Sequence, residues 1–153
     1  MKLSIIQLAK LLTYSGTLPL IACVVLLIAP MPGFDSHLIA KTYSAIIISF
    51  LCGIQWAAYL FFAEKCPRNL LLTSNGVALL AWSSLLATQN EIALLMQIVC
   101  FLYLFTLDFK LQKAGILPTW FYELRRNATG IVVLSLVTVI VLSWRCHRND
   151  LLN

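Results

Sequence analysis

The feature that most limits what this chain can become is a set of five apolar runs, each near the length of a membrane-spanning helix. About 20 predominantly apolar residues carry a helix across the roughly 30 Å hydrocarbon core of a bilayer. Inside that core a helix satisfies its own backbone polar groups, which lipid cannot do. The runs are residues 11–29, closed by Pro30, Pro32 and Gly33; 43–63, closed by Glu64 and Lys65; 70–87, the most polar; 91–107, ending at Asp108; and 128–144, ending at Arg145. Of the 153 residues, 61% are hydrophobic and 11% are charged, where a soluble domain carries roughly a quarter charged residues. A globule of this size could not hide the excess apolar surface, and disordered chains are polar. The expected fold is all-α: one polytopic membrane helical bundle of about five transmembrane helices, residues 1–153.

Short links fix neighbours. Residues 88–90 are so few that the third and fourth spans form an antiparallel hairpin, and Thr88 with Glu91 fits a capping box opening the fourth helix. Residues 2–12 are amphipathic and extend the first helix along the surface. Leu20 to Cys23 has the form of a lipoprotein cleavage box, but the chain stays apolar through Ala29, so the reading is a spanning helix. The long link, residues 108–127, is expected to hold a short interfacial helix. Pro118 fits its first turn and Trp120 favours the head-group layer. Asp108, Pro118, Trp120, Phe121 and Arg125 form a candidate interfacial box, an aromatic anchor or a docking site for lipid or a partner, with Arg125 and Arg126 reaching phosphates or Asp108.

The net charge of +5 sits between apolar runs, where it orients a membrane protein and meets anionic head groups. No basic run alternates with exposed aromatics, so nucleic acid is not an expected partner. Eight of the eleven Lys and Arg residues fall on one side (Lys2, Lys10, Lys65, Arg68, Lys110, Lys113, Arg125 and Arg126), against Lys41, Arg145 and Arg148 on the other. The N-terminus is therefore expected in the cytoplasm and the C-terminus in the periplasm, with the matrix replacing the cytoplasm in an organelle. The five cysteines form no CxxC pair, which gives neither a zinc site nor a disulfide framework. His37 and His147, both expected outside, are flanked by ordinary loop residues, and no cofactor or metal is expected.

Polar residues inside lipid need a partner or a task. In the second span Ala45, Ser49, Gly53 and Ala57 make a small face that lets another backbone approach closely. Gln55 and Trp56 lie beside it, Asn75 and Trp82 share one side of the third span, and Gln97 is the strongly polar residue inside the fourth. Ser49, Gly53, Gln55, Trp56, Asn75 and Trp82 are thus a candidate packing or ligand face. Two readings stay open: hydrogen bonds between helices, with Asn75 as one partner for Gln55, or a ligand pocket at the midplane. Bounded as above, no span interior holds an ionisable residue, which argues against catalysis and ion coupling.

Three stretches together resemble an uncharacterised membrane-protein family, domain of unknown function 3429. They are Tyr43 to Trp56 (YSAIIISFLCGIQW), Leu79 to Trp82 (LLAW), and Asp108 followed by Leu117 to Arg125 (LPTWFYELR). The similarity runs over roughly residues 12–142. The sequence departs from the family pattern at Cys52, where a second glycine is expected, at Gln55, where histidine is common, and at Ala57, where glycine is common. The resemblance implies a bacterial or mitochondrial inner-membrane protein of about five helices and implies no activity. The expected function is non-enzymatic, an interaction or assembly role with a membrane-protein partner or a second copy. The alternative is a carrier or binder of lipid or quinone. For the orientation, a reporter enzyme that folds only in the periplasm, fused to the C-terminus, is expected to be active; activity of a cytoplasm-only reporter there reverses the assignment.

Overall fold

A computed structural model of the chain describes residues 4–66 and 68–150, the side chains of 146–150 excepted. The described residues form helices and no strand: α1 (Ile5–Ser15), α2 (Leu18–Ile28), α3 (Ser36–Phe62) with a 3-10 turn at Ala63–Lys65, α4 (Leu70–Ser84), α5 (Asn90–Lys113) and α6 (Thr119–Asp150). Four helical runs are long and apolar enough to cross a membrane: Ile5–Ile28, Ser36–Lys65, Asn90–Lys113 and Thr119–Arg145. The all-α expectation holds, with α4 shorter than its expected span.

The first run is interrupted. Pro19 has no N–H to donate and its ring crowds the carbonyl four residues back, so α1 ends and α2 begins across Gly16 and Thr17. At this break the Gly16 carbonyl accepts the Tyr43 hydroxyl of α3 at 2.8 Å. At the start of α1, Ser4 and Gln7 make a reciprocal capping box, whereas the box expected of Thr88 and Glu91 does not form. The N-cap of α5 is Gln89, with no side-chain bond.

Each boundary that moved has a local cause. Helix α3 starts at Ser36, not 43, because Asp35 accepts from the backbone of His37 and Leu38, both at 3.0 Å. Helix α4 stops at Ser84, not 87, because Leu85, Leu86 and Ala87 donate to carbonyls three residues back, the tighter pattern of a closing helix end. Its 15 residues span about 22 Å. Helix α5 runs past Leu107 to Lys113, and α6 starts at Thr119, not 128. The short interfacial helix expected within 108–127 is therefore not a separate element: its residues are the last turns of α5, a tight corner and the first turns of α6. Gly115 makes the corner at φ +72°, and Ile116 donates to Leu111, the glycine-terminated helix end that leaves Pro118 to open the next helix.

Packing follows chain order. Each helix from α2 to α6 lies against the next, α6 returns to α2, and α3 also meets α5 across the middle. The core joins Leu20 and Cys23 of α2, Ile48 and Cys52 of α3, Val77 and Ala81 of α4, Leu94, Phe101 and Leu104 of α5, and Leu136 and Val139 of α6. Because two short turns separate α3 from α5, these helices run parallel. Tyr43→Phe, which leaves the Gly16 carbonyl without its donor, is expected to lower stability by roughly 1 kcal/mol, measured as the unfolding free energy in detergent micelles.

Candidate functional site

The parallel pair α3 and α5 is joined by two polar clasps with the same offset in sequence. Ser44 meets Gln97 and Gln55 meets Asp108, each pair 53 residues apart. Within each helix the two positions are eleven residues apart, about three turns or 16 Å, so both clasps face the same way. One clasp also recruits α4 and the other α6.

In the first clasp, the Gln97 amide nitrogen donates to the Lys41 carbonyl at 2.9 Å and to the Ser84 hydroxyl of α4 at 2.8 Å. Its carbonyl oxygen faces the Ser44 hydroxyl. Gln97, Ser44 and Ser84 are fully buried, and every polar atom of the glutamine is engaged.

In the second, Asp108 accepts on both oxygens. Gln55 Nε2 donates to Oδ1 at 2.7 Å, while Arg125 of α6 donates to Oδ2 through Nε at 3.1 Å and Nη2 at 2.9 Å. The side chains of Asp108 and Arg125 are 1% and 10% exposed, so this is a buried ion pair rather than a surface one. Asp108 lies five residues before the end of α5 and Arg125 six after the start of α6; the tight corner brings them level. A buried carboxylate is tolerable only when paired and hydrogen-bonded. The amide of Gln55 is held with its nitrogen toward the carboxylate, which turns its oxygen away. That oxygen is the one buried side-chain N or O atom left without a hydrogen-bond partner among the described residues.

This arrangement corrects the reading that no span interior holds an ionisable group. Asp108 and Arg125 lie inside helices and inside the bundle. Hydropathy stops a span at a charge, whereas a paired charge lets the helix continue. Of the two options for Arg125, phosphates or Asp108, the side chain takes Asp108. Arg126 points out and is exposed. In the rest of the interfacial box, Pro118 is exposed, and Trp120 and Phe121 are half-buried and meet edge-to-face at 5.6 Å. Nearby, Tyr122 stacks on Phe105 at 5.6 Å, and Lys113 lies over the Phe109 ring at 4.5 Å.

The other candidate residues do not come together. Gln55 is buried and bonded to Asp108, while Ser49, Gly53, Trp56, Asn75 and Trp82 are exposed. Gln55 turns into the bundle while Trp56, Asn75 and Trp82 turn out of it, and the partner of Gln55 is Asp108 rather than Asn75. Of the small face only Ala45 is buried; Ser49, Gly53 and Ala57 face outward, and a Cβ added at Gly53 would meet nothing within 4 Å. The buried side of α3 is instead Ser44, Ile48, Leu51, Cys52, Gln55 and Ala58. Ser44 escaped the sequence reading. The repeated eleven-residue spacing of polar groups, 44 with 55 and 97 with 108, is the signal that marks it. At the opposite end of α3, His37 lies 3.2 Å from the Ser143 hydroxyl of α6, and the His147 side chain lies outside the described residues. Among the described residues, no three His, Cys, Asp or Glu side chains gather as metal ligands.

Residues 5–141 match the model of a family described as a protein of unknown function, DUF3429. Transmembrane protein 69 of Xenopus tropicalis is 33% identical over 103 residues, a stretch that covers 65% of this chain and 40% of that protein. The chain thus spans well under half the length of that curated relative. No solved structure matches the chain.

The ion pair makes a quantitative test. Asp108→Leu leaves the Arg125 guanidinium buried and unpaired and is expected to cost about 3–5 kcal/mol, whereas Asp108→Leu with Arg125→Met is expected to recover most of it. Unfolding of the two single variants and the double variant measures the coupling; additive losses would mean that the two side chains act separately.

Proposed function

The chain belongs to the DUF3429 family, whose function is unknown, and from that premise we propose that it is a non-catalytic membrane protein that acts by associating with a partner helix or with a second copy of itself. The observation that carries this reading is the outward-facing Ser49, Gly53 and Ala57 of α3. Small residues at four-residue spacing let two helix backbones approach closely in lipid, where packing rather than hydrophobicity drives association. The exposed Asn75 of α4 adds to it, because an amide on a lipid-facing helix gains from a hydrogen bond across an interface.

The polar interior is compatible with a scaffold. Gln97 and the oxygens of Asp108 are spent on holding helices together. The setting proposed is a bacterial or mitochondrial inner membrane, with the N-terminus on the cytoplasmic or matrix side, on the strength of the Lys and Arg asymmetry.

Gly53→Leu tests the association directly. A leucine there enters open space within the chain and replaces a poor helix former with a good one, so the fold is expected to persist. Native mass spectrometry of protein extracted in mild detergent is expected to find the wild type with a constant partner or as a dimer, and the variant alone. A wild type that is always alone, or a variant that keeps its partner, counts against the reading.

A further inference from the structure

A groove of about 410 Å³ runs down the outside of the bundle between α5 and α6. Leu102 and Phe105 form one wall, and Gly130, Val133 and Val137 form the other, with Arg126 at one end. We propose that this groove holds one anionic phospholipid, its phosphate on Arg126 and one acyl chain along the helix junction. This is a separate surface from the α3 face and does not depend on the association reading.

Four observations carry it. From Arg126 to Val137 the groove follows eleven residues of α6, about 16 Å, which matches half of the roughly 30 Å hydrocarbon thickness; it is one leaflet deep. Apart from Arg126 and the buried Thr129 its lining is apolar, and it is open to the outside, with Leu102 and Val137 exposed by 48% and 42%. The trough is open at Gly130, where an added Cβ would meet nothing within 4 Å. Phe105 is fixed by its stack on Tyr122, so that wall is preformed.

Charge selects the head group. Arg125, the neighbour of Arg126, is consumed by Asp108, which is the only salt bridge among the described residues. Arg126 is exposed, and Glu123, one turn earlier on α6, does not come within ion-pair distance of it. The guanidinium is therefore available on the side of the bundle where α5 ends with Lys110 and Lys113, and guanidinium geometry suits a phosphate.

The test uses the full-length protein in mild detergent, given equal amounts of phosphatidylglycerol and phosphatidylcholine, with bound lipid counted by native mass spectrometry. The wild type is expected to keep one lipid and to favour phosphatidylglycerol. Arg126→Gln is expected to lower that preference about fivefold, the value of one cation at an anionic surface. Gly130→Leu fills the trough without touching the core and is expected to remove the bound lipid of both kinds. Arg68→Gln, at the same end of the bundle but beside α4, is expected to change neither. The proposal is overturned if Gly130→Leu keeps its lipid, if Arg68→Gln lowers the preference as much as Arg126→Gln, or if the groove is closed by a second copy that Gly130→Leu disperses.

Discussion

The pairing of Asp108 with Arg125 inside the bundle is the constraint on which the rest of the architecture depends. A lone carboxylate or guanidinium taken out of water is costly enough that a helix ends or the group finds a partner. Here each charge is the other's partner, Gln55 supplies a further donor, and three helices are held at one depth. The pairing is possible only because the corner at Gly115 folds α6 back on α5 so sharply. The same corner turns an expected loop into the ends of two long helices.

A second clasp three turns away fixes the register. With only Gln55 and Asp108 in contact, α3 and α5 would be free to pivot. The bonding of Gln97 to Ser84 and Lys41, together with its contact to Ser44, adds a second point along the same seam. Between the two lie Ile48, Leu51, Cys52, Phe101 and Leu104, all buried. Polar groups thus set alignment while apolar groups fill the space between, a division suited to lipid, where burial of apolar surface gives no preference for one helix register over another. What the clasps do not use is turned outward: the small face of α3 and the α5–α6 groove with Arg126.

Much of the fold is legible in the sequence. The apolar runs fixed the class, and each of the five overlaps a helix. Span ends were less legible, since Asp35 extends α3 through a cap rather than through hydropathy, and α4 closes early because its last residues tighten into i→i+3 bonds. The interfacial box was half legible. Its residues stand out in the sequence, which offers Asp108 as one of two partners for Arg125, but hydropathy ends a span at a charge. The polar residues of the interior were recognised as needing partners. Which partner each takes depends on helix rotation, and sequence periodicity in an all-apolar helix does not report rotation. For that reason Gln55 was grouped with Trp56 and Asn75, whereas it turns inward to Asp108 and they turn out.

The sequence alone determined the solvent, because runs of about 20 apolar residues have no stable place but a bilayer. It also determined the helical class, because lipid leaves the backbone little other choice. The tertiary structure decided which faces turn inward and which charges lie at depth. Those outcomes rest on contacts between residues 17 to 56 positions apart, Arg125 with Asp108 and Gln97 with Lys41, and such contacts exist only once the helices have packed.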